Sequence, residues 1–251
     1  MLVARFEPTL PSLSERRSEY DRTRFVAYLD LLGFSKAVCL AASSNGELDR
    51  VSRSVEYLRQ TQEQFCATRS YGAPCVTLIS DSIVMSIEAD DDPLKLINAV
   101  GVLAREMLHF GFVVRGGITS GALVHDNRVC YGPALIRAYE LESKVANWPR
   151  IVVDGDMLSV ADIPATLLQI DPDGVHKLDY LRREFPAEIK LSNSYCHLLQ
   201  CAYELSQRGL HNQRQSSGID AEKISRKLEW FVAYVKDCAK AAKIMLSESA
   251  T

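Results

Sequence analysis

The sequence predicts an α+β fold: a ferredoxin-like palm, with an antiparallel sheet, flanking helices and a C-terminal helical extension. Two observations carry this. Up to about residue 154, apolar β-rich runs alternate with helical periodicity in the order strand, helix, hairpin, helix, hairpin, helix, strand, and an antiparallel sheet with helices on one face satisfies that order. From about residue 165 the texture turns helix-rich. The chain has 251 residues and 47% apolar composition, enough to bury a full core.

Each element has its own signal. FVAYLDL (25–31) reads as a buried strand ending on one aspartate, Asp30. Asn45 and Gly46 open a helix with Leu48, Val51, Val55, Leu58 and Phe65 at helical spacing. Residues 76–79 and 83–87 are β-rich runs broken at Ser80-Asp81-Ser82, a tight hairpin with Asp81 at its tip. Asp92 before Pro93 is a helix start, cap then proline, and that helix stops near Gly111. FVVRGGITSGALV (112–124) is a strand with glycines. His125 to Arg128 reads as a polar turn before the return strand VCYG. Residues 133–145 form a helix and PRIVVD a last strand. Further on, 187–211 and 219–247 are helical around the polar stretch 212–218. Leu228, Phe231, Tyr234, Val235 and Cys238 make one apolar face. The division expected is a poorly ordered leader over 1–23, a sheet-containing domain over 24–160, and a mainly helical extension over 161–251 packed on the same domain or on a dimer partner.

The bulk numbers exclude several classes. A net charge of −3 marks no general nucleic-acid surface. No run reaches the length of a membrane-spanning helix, and 1–23 has no continuous apolar segment of a signal peptide. The seven cysteines never form C-x-x-C, which argues against a disulfide framework and against zinc, and fits a reducing, cytoplasmic setting. The five histidines form no H-x-x-x-H pair.

Chemistry concentrates on Asp30 and Asp81. If their elements are sheet neighbours, the two carboxylates converge at one edge, where they repel unless a cation or a shared proton intervenes. Mg²⁺ suits them, because it takes one or two carboxylates plus substrate phosphates. Gly33 permits a tight turn after the strand, and the amides of the following helix start can cradle phosphate. A strand-end aspartate also serves as a turn former, so the residues alone leave both roles open.

The blocks YLDLLGF (28–34), LISDSIVMS (78–86), VRGGITSG (114–121) and YGPALIRAYELES (131–143) resemble, in order and spacing, the class III nucleotidyl cyclases. The resemblance covers about residues 24–154. Ser80 stands where the family's hairpin has glycine. Ile136 stands at the usual ribose-orienting asparagine, Glu140 at the usual phosphate-binding arginine, and the apolar Val76 and Val129 near the base-reading lysine and aspartate. These departures point away from an ordinary purine cyclase. The whole chain is more similar to the pyrimidine cyclases of Pycsar antiphage systems.

That resemblance implies a cytoplasmic homodimer with shared active sites. It would convert UTP into 3′,5′-cyclic UMP and pyrophosphate, and the product would act on a separate effector protein. UTP is favoured over CTP because two arginines and, Glu140 apart, no spare acidic residue lie in the matching blocks. Asp30 and Asp81, with the Leu31 carbonyl, would hold two Mg²⁺ or Mn²⁺ ions per site. Leu31, Gly33 and Phe34 would line the phosphate cradle, Arg115 and Arg137 would supply the transition-state cation, and Tyr139 would meet the base. Nucleic acid and membrane are not expected partners. A diguanylate cyclase of the GGDEF type is disfavoured, since RGGIT lacks the acidic pair. A catalytically degenerate, nucleotide-binding domain is the rival of another class.

Overall fold

The computed structural model describes residues 12–66, 74–126, 128–182, 195–214 and 219–247. Within the expected leader, Leu13–Tyr20 is helical (α1). The long central strand β1 (Thr23–Leu32) leads through Gly33 into α2 (Phe34–Ala41), a helix the sequence reading did not separate. The next helix, α3 (Asn45–Phe65), starts where expected: the Ser44 side chain accepts from the Glu47 amide, satisfying an otherwise orphaned donor.

The hairpin is also where expected, β2 (Cys75–Ile79) and β3 (Ser82–Glu88) joined at Ser80-Asp81. Ser80 takes φ +57°, a left-handed conformation that favours glycine, at the position where the resembled motif has one. Asp92 caps α4 (Pro93–His109) by accepting from the Leu94 amide, with proline in the first turn. Then come β4 (Val113–Ala122), the short ribbon β5 (Val124–His125) and β6 (Cys130–Tyr131), and α5 (Pro133–Glu140). Residues Leu141–Val145 continue α5 as a π-helical turn, and β7 (Ile151–Val153) and α6 (Gly155–Val160) follow.

The region expected to be mainly helical contributes two more strands, β8 (Leu168–Ile170) and β9 (His176–Leu178), before α7 (Tyr195–Arg214) and α8 (Ile219–Ala241). The sheet order is β2-β3-β1-β4-β7-β9-β8, so one sheet runs across the expected boundary at residue 160. The sheet is mixed rather than wholly antiparallel, because β7 joins β4 in parallel. Residues 187–194 of the first expected helix and 215–218 of the expected polar stretch lie outside the described residues.

Side-chain alternation along β1 assigns its two faces. Phe25, Ala27, Leu29 and Leu31 join one core with Leu96, Ile97, Val100 and Leu103 of α4, Leu198 and Leu199 of α7, and Phe231 and Val235 of α8. Val26 and Tyr28 face the other way and pack with Ala134 and Ala138 of α5. Helices therefore cover both faces, against the expectation of one. Gly117 allows α5 to lie directly on β4: a Cβ there would stand 2.5 Å from Leu141 Cβ and 2.6 Å from the Ala138 carbonyl oxygen.

Of the polar turn expected over His125 to Arg128, Asp126 and Arg128 are exposed, but His125 is buried in β5. His125 bonds Thr77 at 2.9 Å and Ser86 at 2.8 Å through its two ring nitrogens. Arg150, fully buried, is clamped by Asp171 at 2.5 Å and Asp173 at 2.6 Å. Beyond it, Trp148 stacks on Trp230 of α8 with ring centroids 6.4 Å apart. The β8–β9 hairpin is thus tied into the palm by ion pairs, and the C-terminal helices by the tryptophan stack and apolar contact.

Candidate active site

Asp30 and Asp81 come to one end of the sheet because β1 and β3 are antiparallel neighbours in which Asp30 pairs with Ser82. The Leu31 amide donates to the Asp81 carbonyl at 2.9 Å, which fixes the hairpin turn against the strand end. The Asp81 carboxylate accepts from the Ser35 hydroxyl at 2.9 Å, so the first turn of α2 positions it. Gly33, at φ +84°, caps α2; the left-handed turn is the one glycine adopts without penalty. By helix geometry the first amides of α2 have no partner within the helix, and they sit beside the two aspartates. Leu31 and Phe34 are buried core side chains, Phe34 against Phe112 at 5.4 Å. Any part they take in the site is through the main chain.

Arg115 pairs in register with Asp30 across β1 and β4. Its guanidinium lies 3.5 Å from the Asp30 carboxylate and is ion-paired to Glu142 in the π-helical turn. The π turn carries Glu142 inward, where it is buried; such turns are frequent at functional sites. Burial holds the Asp30 carboxyl above the ordinary carboxylate range, opposed by Arg115 and reinforced by Asp81. Burial likewise raises Glu142, opposed by Arg115 and reinforced by Asp30. Lys227 of α8 feels the same cluster: burial lowers its ammonium pKa, Arg115 adds to that, and Glu142 and Asp30 oppose it. Glu142 and Lys227 were not singled out in the sequence. Glu142 lies unremarked within the block 131–143, and Lys227 lies on a helix far along the chain. A charged residue one turn before Trp230, on the side of α8 that meets Trp148, was the available signal.

Arg137 is placed elsewhere. It forms two bonds of 2.8 Å to Asp154, and the Thr119 hydroxyl donates to the same carboxylate at 2.8 Å. The structure therefore joins Asp30, Asp81, Arg115 and Glu142 in one cluster and commits Arg137 to a separate ion pair. Tyr139 is half exposed, with its ring edge-on to Tyr28 at 5.4 Å, and the Tyr28 hydroxyl shares a 2.7 Å hydrogen bond with Ser82. Tyr139 thus belongs to the face of the sheet that carries Asp30. An open pocket of about 450 Å³ is lined by Tyr20, Tyr131, Pro133, Ile136, Arg137 and Glu140; neither aspartate lines it.

The donor set fits a hard dication. Two carboxylates from adjacent elements, one with its pKa raised by burial, gain from a bound cation, and oxygen-only ligation suits Mg²⁺ or Mn²⁺.

No family model matches the chain, and no curated protein matches it by sequence. Among solved structures, it is similar to the guanylyl cyclase Cya2, at 12% identity and a TM-score of 0.43, over 69% of this chain and 98% of that one. It is also similar to a class III adenylyl cyclase-like ATP-binding protein from Pseudomonas aeruginosa, at 13% identity and a TM-score of 0.39, over 63% of this chain and 39% of that one. At this identity and score, the chemistry has to be argued from the residues.

Proposed function

We propose that the chain is a nucleotidyl cyclase acting on a pyrimidine nucleoside triphosphate, UTP ahead of CTP. The observation that carries this reading is the pair Asp30 and Asp81, brought to one sheet end beside the left-handed turn at Gly33. The nucleotide's 3′-hydroxyl attacks its own α-phosphate, and pyrophosphate leaves. Nucleophile and electrophile are already tethered, so the protein contributes positioning and charge neutralisation.

Asp30 and Asp81, with the Leu31 carbonyl, would hold two Mg²⁺ or Mn²⁺ ions. Such ions, once bound, would supply acidification of the attacking hydroxyl and neutralisation of the leaving pyrophosphate. The main chain at Gly33 and Phe34 receives phosphate oxygens at the start of α2. Arg115 is the cation nearest the reacting groups, held by Glu142. Arg137, bound to Asp154, serves better as an anchor that sets α5, and with it Tyr139, against the sheet. The half-exposed Tyr139 and Ile136 on α5 suit a site completed by a second copy of the chain, as the family resemblance implies. A role in antiphage defence, with cyclic UMP passing to a separate effector, follows from that resemblance.

One observation favours a second reading, a nucleotide-binding domain without turnover. Both candidate arginines are already engaged by carboxylates, so neither is free for phosphate in this conformation. Incubation with each of the four nucleoside triphosphates and Mn²⁺ or Mg²⁺, with products identified by mass, separates the readings. A cyclic pyrimidine monophosphate plus pyrophosphate supports the proposal and names the base. Cyclic AMP or GMP overturns the base assignment. Nucleotide binding without any product supports the second reading.

A further inference from the structure

The seam between α4 and α7 holds a cluster that the proposed reaction does not use. His109 stands in the last turn of α4. His197 and Cys201 are four residues apart on α7, which places them on one face of that helix. One ligand atom from each of the three side chains lies within 4.8 Å of the other two. Cys201 Sγ is 3.5 Å from His197 Nδ1 and 3.8 Å from Nε2. The His109 and His197 rings face each other with centroids 5.5 Å apart and 24° between their planes.

Both ring nitrogens of His109 are buried without a hydrogen-bond partner among the described residues. A neutral imidazole carries one donor and one acceptor, and a buried polar group left unmet costs about 1–3 kcal/mol. A ligand that takes one of these nitrogens offsets that cost.

We propose that His109, His197 and Cys201 bind one first-row transition-metal dication, Zn²⁺ by the character of the donors, with solvent in the fourth position. Two imidazoles and a thiolate are the borderline and soft ligands that select Zn²⁺ over Mg²⁺ or Ca²⁺. In a tetrahedron with Zn–N near 2.0–2.1 Å and Zn–S near 2.3 Å, neighbouring nitrogen and sulfur stand about 3.5 Å apart. The Cys201–His197 separation has that value, and ring rotation at His109 closes the third edge.

Binding displaces the Cys201 thiol proton to solvent. The site is chemically distinct from the oxygen-only pair Asp30 and Asp81. It also has a mechanical consequence: the metal links the C-terminal helical pair to α4, which packs on the sheet, so metal binding adds to the stability of the folded chain. The sequence hid it because the local pair is H-x-x-x-C and the third ligand comes from another helix.

The test uses the full chain, stripped of metal by a chelator and titrated with Co²⁺ and then Zn²⁺. Expected are a thiolate-to-cobalt charge-transfer band that saturates at one equivalent, its displacement by Zn²⁺, and a higher melting temperature with metal. Cys201→Ser and His109→Gln are each expected to lose the band and to weaken Zn²⁺ binding by at least tenfold. Cys196→Ser, and Asp30→Asn combined with Asp81→Asn, are expected to keep it. No band in folded wild-type protein, or a band that survives Cys201→Ser or depends on Cys196, overturns the proposal. If His109→Gln fails to fold, the wild-type titration and Cys201→Ser still decide.

Discussion

Arg115 stands between two carboxylates: it is ion-paired to Glu142 in the π-helical turn and lies 3.5 Å from Asp30 at the end of β1. The guanidinium is thus the counter-charge that lets two buried or half-buried acids coexist at one end of the sheet. A cation bound at Asp30 would compete for the same charge and leave Arg115 to Glu142.

Removing one member of this cluster is expected to cost more than removing the pair. Arg115→Ala leaves Glu142 buried and uncompensated, which destabilises by about 3–5 kcal/mol. Arg115→Met combined with Glu142→Leu, of similar volume, is expected to recover most of that loss. Chemical denaturation of the single and double variants gives the coupling. Additive losses would show that the two side chains do not interact.

Gly117→Ala tests the seating of α5. The added methyl meets Leu141 Cβ and the Ala138 carbonyl oxygen, and overpacking of this kind costs about 1–3 kcal/mol. Gly155→Ala, where a Cβ meets nothing within 4 Å, is expected to stay within about 0.5 kcal/mol of wild type. Thermal melting of both variants checks the contrast.

His125 supplies a pH dependence. Burial, then the Arg24 charge, lower its pKa to about 4, below the ordinary histidine value of about 6.5. The unfolded chain therefore takes up the proton first. The stability held by neutral His125 is full above about pH 6.5, falls as pH drops toward 4, and is then fully lost, a change of about 3 kcal/mol. His125→Gln, which can still bond Thr77 and Ser86, is expected to flatten that part of the curve. The difference between variant and wild-type stability from pH 7 to 4 isolates it from the carboxylates.

Much of the site was legible because its signals are local. The apolar run ending at Asp30, the two-residue break at Ser80-Asp81 and the glycine at 33 each declare a strand end or turn without tertiary knowledge. The Asp92-Pro93 start of α4 was legible for the same reason. The missed features depend on distant partners. Three-residue strands such as β8 and β9 are too short to show a period. Arg137 looked available because Asp154, which binds it and accepts from Thr119, lies on another element. His125 sits in a run of polar residues, yet Thr77 and Ser86 make its burial tolerable. Glu142 turns inward only because the helix widens into a π turn.

The most direct test of the two-aspartate site is metal-dependent turnover by wild type, Asp30→Asn and Asp81→Asn side by side, with far-UV circular dichroism and melting on each. Wild type is expected to release pyrophosphate from UTP with Mn²⁺. Each variant is expected to lose roughly 100-fold or more while keeping its fold. A folded Asp30→Asn/Asp81→Asn double variant that turns over at the wild-type rate would contradict it.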